Sequence, residues 1–129
     1  MNSTFNILSF DGGGLRGTLS IHLLKKLQNL SPNIIKTTNM ISGTSTGSLI
    51  ALGLAYGLSV EEVSNLYSKE NIEYIFDKSY SQIARPKYDN DHLKEVLLRI
   101  FPENLKLKDL GKLVIIPAFY LGDENNSWK

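Results

Sequence analysis

The sequence predicts an α/β fold with a mostly parallel sheet covered by helices on both faces, and three observations carry that prediction. Short apolar runs alternate with longer stretches of helical periodicity. Glycine-rich turns stand at two strand-to-helix junctions, residues 11–17 and 43–47. The chain of 129 residues, 42% of them hydrophobic, suffices for one core of ordinary size and asks for no second domain. Alternation of this kind builds right-handed strand–helix–strand units, whose strands lie side by side and parallel.

Residues 5–10 read as a short buried strand, because Phe5, Ile7, Leu8 and Phe10 crowd together and glycines follow at once. From 18 to 30, Leu19, Ile21, Leu23, Leu24, Leu27 and Leu30 fall largely at helical spacing until Ser31-Pro32 closes the pattern. After the polar run 36–39, Met40 and Ile41 form a very short second strand that ends at Ser42-Gly43. Residues 46–56 are apolar nearly all round, as a central helix would be.

Ser59-Val60-Glu61-Glu62 sets an N-cap before an acidic first turn and opens an amphipathic helix to about Asn71. Residues 74–88 are aromatic and irregular, and Ala84-Arg85-Pro86 forces an extended path, so this segment is a loop or lid candidate. Its Tyr74, Phe76, Tyr80 and Tyr88 suit an acyl pocket or a lipid interface, and core filling equally well. Asp89 or Asn90 caps a helix in which Leu93, Val96, Leu97 and Ile100 share a face, ended by Phe101-Pro102. Residues 113–121 form a strongly apolar strand in which Pro117 asks for an edge position or a bulge.

Composition narrows the function classes. Lys and Arg number 14 against 13 Asp and Glu, so no field gathers nucleic acid or an anionic surface by charge alone, and no nucleic-acid partner is expected. The absence of cysteine excludes disulfides, thiolate zinc sites and a cysteine nucleophile. The first residues lack a cationic start followed by a long apolar run, so a cytoplasmic location is expected. The most apolar stretch, 49–58, is interrupted by Gly53 and Gly57 and is too short to span a bilayer.

Two motifs carry the chemistry. Gly43-Thr44-Ser45-Thr46-Gly47 has the G-x-S-x-G form and falls between a short strand and a helix, where that form has mechanical meaning. A serine on such an elbow is held in a strained turn with its hydroxyl exposed, and the helix behind it aims N–H groups at developing negative charge. The plainer reading is a glycine-rich turn whose serines cap a helix. Asp11-Gly12-Gly13-Gly14-Leu15-Arg16-Gly17 follows the first strand and opens the first helix, so its N–H groups converge on an anion. It contains G-x-G-x-x-G, a device shared with nucleotide-binding loops. A dinucleotide site also wants an acidic residue about 20 positions on, where Lys36-Thr37-Thr38-Asn39 stands instead, and no Gly-Lys-Ser or Gly-Lys-Thr is present. An oxyanion role is preferred because a candidate nucleophile lies on the next strand–turn–helix unit.

Together, Asp-Gly-Gly-Gly-Leu-Arg-Gly followed by Gly-Thr-Ser-Thr-Gly closely resembles the patatin-like phospholipases. Pro86-Lys87-Tyr88-Asp89 and the strand at 113–121 also look like that family, so the resemblance spans nearly the whole chain and residues 1–129 read as the N-terminal portion of such a domain. The resemblance implies an α/β/α sandwich in which a serine works with one aspartate on fatty acyl esters of phospholipids or galactolipids. No metal or organic cofactor is implied, and peripheral membrane contact is. Carried over residue by residue, Ser45 is the nucleophile and Gly12, Gly13 and Gly14 supply the oxyanion hole. Arg16 steadies the loop, where its plainer reading is a solvated helix-start arginine, and Asp11, Gly17, Gly43 and Gly47 complete the two motifs.

The family's catalytic aspartate lies in an Asp-Gly-Gly or Asp-Gly-Ala motif, and none follows Ser45. Asp77, Asp89, Asp91, Asp109 and Asp123 lack the glycines, so none is assigned as the base. The sandwich is therefore expected to be incomplete and the chain impaired, because general-base assistance supplies ~100- to ~10,000-fold in rate. A non-catalytic remnant that binds lipid or a partner through the same cleft is the alternative. His92 follows Ser45 in a triad-like order but reads as a solvated helix-start side chain, and His22 as a packing or surface residue of the first helix.

Overall fold

A computed structural model describes residues 4–75, 90–119, 122–123 and 126–127. Three parallel strands, β1 (Ile7–Phe10), β2 (Met40–Gly43) and β3 (Leu113–Ile115), lie in the order β1-β2-β3. Their register sets Ile41 between Leu8 and Val114. Side chains alternate across a sheet, so Leu8, Ile41 and Val114 share the inner face, while Ile7, Met40 and Leu113 share the other.

Helices α1 (Gly17–Leu30) and α3 (Thr46–Tyr56) follow the first two strands, and α3 packs on all three strands, on α1 and on α4 (Val60–Leu66). The core lies between them: Phe10, Ile21, Leu24, Ile41, Ile50, Leu54 and Val63 are all buried. The all-round apolar character of 46–56 is thus explained by central position. Gly53 admits close packing there, since a Cβ would come within 2.9 Å of Val63 Cγ2.

The parallel α/β architecture agrees with the sequence, and the sheet is incomplete. A strand order that advances in one direction with right-handed crossovers puts its helices on one face. The other face, with Ile7, Leu113 and Ile115, is exposed, so the described residues do not supply the second helical layer that the sequence predicts.

Several boundaries moved for physical reasons. The first strand begins at Ile7 rather than Phe5, which is exposed. Between Pro32 and β2 lies a four-residue helix, α2 (Ile34–Thr37), which overlaps the polar run 36–39 and is too short for periodicity to reveal. The helix expected from Ser59 to Asn71 is two helices, α4 and α5 (Lys69–Ile75). Tyr67 ends the first, and Ser68 Oγ accepts the Asn71 N–H at 3.2 Å to start the second. Asn71 Nδ2 donates at 2.9 Å to Asn65 O, which also accepts the Ser68 N–H at 3.1 Å, so the break is bridged by hydrogen bonds.

Helix α6 (Asn90–Leu98) stands as expected and buries Val96, and a 3₁₀ turn, Leu107–Asp109, precedes β3. Gly111 N–H donates to Ala55 O and Lys112 Nζ to Thr38 O, both at 2.8 Å, fixing the entry to β3. The strand expected over 113–121 stops at Ile115, before Pro117, which has no N–H for a ladder. A small antiparallel pair, β4 (Gly122–Asp123) and β5 (Asn126–Ser127), completes the described elements. The loop or lid candidate at 74–88 falls outside the described residues apart from Tyr74 and Ile75.

Candidate active site

β2 runs directly into the G-x-S-x-G turn, and Ser45 stands between it and α3. Its backbone is at φ 50°, ψ −125°, and among the described residues it alone has positive φ without being glycine. Such a conformation costs on the order of 1–3 kcal/mol and persists only where its surroundings enforce it. Here they do. Thr44 N–H donates to Phe10 O at 3.2 Å, Gly47 N–H to Thr44 O at 2.8 Å and Ser48 N–H to Ser45 O at 2.9 Å. Ser48 Oγ donates to the same Ser45 carbonyl.

The two flanking glycines are required by space. A Cβ on Gly43 would lie 2.2 Å from Gly47 O, and one on Gly47 would lie 2.3 Å from Phe10 O and 3.0 Å from Asp11 O. Ser45 occupies the N-cap position of α3 but makes no side-chain capping bond. Its side chain is exposed, and among the described residues no group hydrogen-bonds to its Oγ.

The Asp11–Gly17 loop folds over this elbow. Gly13 at φ 127° and Gly14 at φ 60° take left-handed conformations that glycine adopts without a Cβ penalty, and residues Gly14–Arg16 form a 3₁₀ turn before α1. Gly12 presses on the Ser45 turn: a Cβ there would lie 2.6 Å from Ser45 Cβ and 2.3 Å from Thr44 O. Its N–H donates to Thr44 Oγ1 at 3.0 Å. Among the described residues, neither the Gly13 nor the Gly14 N–H has an acceptor.

Arg16 bends back so that its backbone N–H and its Nε both donate to Gly13 O, at 3.3 and 3.4 Å. Asp11 is exposed at the loop's entrance. Gly17, at the start of α1, lies so close to Tyr67 that a Cβ would approach its Cε1 to 2.5 Å and Thr46 Cβ to 3.2 Å.

Two contributors were not legible in the sequence. Thr44 is an unspecified position of the G-x-S-x-G form, and Tyr67 reads as one more residue of an amphipathic helix. Tyr67 is buried, its hydroxyl donates to Thr46 O at the start of α3, and burial pushes its phenol well above the ordinary range. The Thr46 hydroxyl is buried without a hydrogen-bond partner among the described residues.

The histidines lie elsewhere. His22 Nδ1 is 2.9 Å from Thr18 O within its own helix. His92 is not the freely solvated side chain that its helix-start position suggested. It stacks on Tyr74 with ring centres 4.2 Å apart, and its Nδ1 lies 2.9 Å from Tyr74 O. The Tyr74 hydroxyl donates to Glu95 Oε2 at 2.6 Å. Asp109 accepts the Lys106 N–H at 3.0 Å. Asp77 and Asp89 lie outside the described residues, as do the side chains of Asp91 and Asp123.

A cavity of about 450 Å³ lined by Leu58, Glu62, Leu66, Val96 and Ile100 includes no residue of either glycine loop. Among the described residues no cluster of His, Cys, Asp or Glu is placed to hold a metal ion, and no helix is long and apolar enough to cross a membrane.

Comparison with known proteins follows the same lines. The family model for patatin-like phospholipases matches residues 8–126. The chain is 39% identical to Protein teg of Priestia megaterium, over 96% of this chain and 40% of that protein. It is 30% identical to a cGAMP-activated phospholipase of Vibrio cholerae, over 94% of this chain and 39% of that one. It is 31% identical to the 85/88 kDa calcium-independent phospholipase A2 of Rattus norvegicus, over 92% of this chain and 14% of the relative. The chain thus spans 40% or less of the length of these relatives. A match over residues 8–126, on an α/β frame that joins a strained serine elbow to a glycine loop, makes this chain a member of the patatin-like phospholipase family.

Proposed function

We propose that this chain carries the nucleophile half of a serine acyl hydrolase, which cleaves fatty acyl esters of phospholipids or related lipids through an acyl-enzyme on Ser45. The observation that carries the reading is the backbone of Ser45, held at φ 50° on a strand–turn–helix elbow against Gly12. Strain of this kind has no purpose in a simple helix cap, and the serine side chain makes no capping bond.

In this mechanism Ser45 Oγ attacks the acyl carbonyl. The developing oxyanion is met by N–H groups of the 12–14 loop, with Gly13 and Gly14 the two whose donors are uncommitted among the described residues. Collapse of the tetrahedral intermediate expels the alcohol and leaves an acyl-serine, which water then hydrolyses. One well-placed oxyanion donor lowers the barrier by ~3 kcal/mol. Arg16, bonded to Gly13 O, keeps the loop in the shape that presents these donors. Leu15, exposed within the same loop, suits contact with an acyl chain at a lipid surface.

The proton of Ser45 needs a base, and among the described residues no carboxylate or imidazole bonds to Oγ. That no Asp-Gly-Gly or Asp-Gly-Ala motif follows Ser45 in this sequence favours a chain that is impaired by itself, and it keeps a non-catalytic lipid-binding role as the second reading. p-Nitrophenyl ester hydrolysis by this chain, by a Ser45→Ala control and by a version extended with any downstream coding sequence tests both. Hydrolysis in the extended protein that Ser45→Ala abolishes is the expected result. Lipid binding without Ser45-dependent hydrolysis in either form would establish the second reading instead.

A further inference from the structure

We infer that Thr44 is a positioning residue for the oxyanion loop: its hydroxyl takes up the Gly12 N–H, clamps the loop on the nucleophile turn, and leaves the Gly13 and Gly14 N–H groups for the oxyanion. The inference rests on the reading of Ser45 as nucleophile and adds a residue to its machinery.

Thr44 touches every part that has to be aligned. Its N–H donates to Phe10 O at 3.2 Å, where β1 ends. Its carbonyl accepts the Gly47 N–H at 2.8 Å, where α3 begins. Its Oγ1 accepts the Gly12 N–H at 3.0 Å, across 32 residues of sequence. The clamp is tight, because Gly12 leaves no room for a Cβ between Thr44 O and Ser45 Cβ.

A threonine before the nucleophile has another ordinary use, which is to cap the helix that follows. That use is excluded here by position and by partner: the N-cap of α3 is Ser45, and the Thr44 hydroxyl accepts from Gly12 instead. The exposed setting of Thr44 also argues against a packing role.

The residue type suits the task. β-Branching restricts the rotamers available to the hydroxyl, so the acceptor is already aimed at Gly12. With Gly12 committed, the oxyanion falls to the next two N–H groups, which carry the left-handed glycine conformations. A reacting group misplaced by about 1 Å costs roughly 100-fold in rate, so a slack loop is read directly in the reactivity of Ser45.

The test compares wild type, Thr44→Val and Thr44→Ser in two measurements on the 129-residue chain. The first is the second-order rate at which a fluorophosphonate probe labels Ser45, with Ser45→Ala as the blank. The second is amide hydrogen exchange at Gly12, Gly13 and Gly14 by NMR. The expected result is a protected Gly12 amide beside fast Gly13 and Gly14 amides in wild type. In Thr44→Val that protection is lost and labelling slows by ~10- to ~100-fold, and Thr44→Ser restores both. Labelling of Thr44→Val at the wild-type rate overturns the role of Thr44 while leaving Ser45 as nucleophile. A wild-type Gly12 amide that exchanges as fast as its neighbours overturns it without recourse to any variant, so a Thr44→Val chain that fails to fold does not shield the proposal. Protection without labelling, in the 129-residue chain and in the version extended with downstream coding sequence alike, sinks the nucleophile reading itself, and with it the catalytic meaning of the clamp.

Discussion

The Tyr67 hydroxyl donates its hydrogen bond to the Thr46 carbonyl, one residue beyond Ser45. This contact spans 21 residues and ties the end of α4 to the start of α3, where Gly17 also meets the Tyr67 ring. The Ser45 turn is thus held from the helical side by a buried phenol and from the strand side by Phe10 and Thr44.

Replacing Tyr67 by Phe keeps the ring and removes the bond. The expected cost is ~1 kcal/mol of stability, measured by urea unfolding, with slower fluorophosphonate labelling of Ser45. The pH dependence has a definite sign. Burial raises the folded phenol above its ordinary value of 10.0, so its contribution is complete below about pH 10 and is lost as pH rises toward the folded value. Tyr74 is shifted the same way, chiefly by its bond to Glu95, but it is less buried than Tyr67 and should matter less. Tyr67→Phe should therefore flatten the alkaline fall in melting temperature more than Tyr74→Phe does.

Gly12 and Gly14 should respond differently to alanine. A methyl group on Gly12 must displace Thr44 O or Ser45 itself, so Gly12→Ala should reduce Ser45 labelling by ~100-fold or more. Gly14 has open space around its missing Cβ, and only its φ of 60° opposes substitution. Gly14→Ala should cost ~1 kcal/mol of stability and Gly14→Asn less, because asparagine tolerates that region. Equal labelling losses in Gly12→Ala and Gly14→Ala would show that the close approach at Gly12 does not matter.

Ser59 and Glu62 form a reciprocal cap on α4. The Glu62 N–H reaches Ser59 Oγ at 3.1 Å, and Glu62 Oε2 accepts from the Ser59 backbone N–H at 2.8 Å. That backbone bond, with help from the Ser59 hydroxyl, lowers the Glu62 carboxyl below its ordinary value of 4.5. The stabilisation is present above that value and is lost as pH falls through the lowered one. Ser59→Ala should cost ~1 kcal/mol at neutral pH, and the difference from wild type in thermal melts should shrink below about pH 4.

Leu19, Leu23, Leu27 and Leu30 leave an exposed apolar stripe along the first helix, opposite the buried Ile21 and Leu24, with Leu15 exposed in the turn before it. Exposed patches of this kind promote association. Leu23→Lys combined with Leu30→Lys should reduce self-association of the isolated chain in sedimentation velocity, with little change in melting temperature. Ile21→Ala, by contrast, should lower stability by ~2–5 kcal/mol.

Locally encoded features were readable from the sequence alone. The helix at 46–56 was legible as an apolar run closed by Gly57 and the one at 90–98 from its periodicity, signals that depend on neighbours a few residues apart. The Ser45 and Gly12 motifs were readable because a G-x-S-x-G or glycine run between strand and helix is itself a short-range pattern.

Tertiary structure decided the rest, because the deciding partners are far apart in sequence. Periodicity continued through Tyr67-Ser68, but packing of the Tyr67 ring against Gly17 and Thr46 accompanies a break there. Alternating strands and helices implied cover on both faces, yet the order β1-β2-β3 leaves one face of the described sheet open. Periodicity likewise assigned six apolar residues to one helix, and only packing separated Ile21 and Leu24 from the exposed leucines. The Gly12 N–H is read from the sequence as an oxyanion donor, and the fold places a hydroxyl 32 residues away within its reach. A sequence records which donors exist, but which acceptor each one meets is settled only when distant turns are brought into contact.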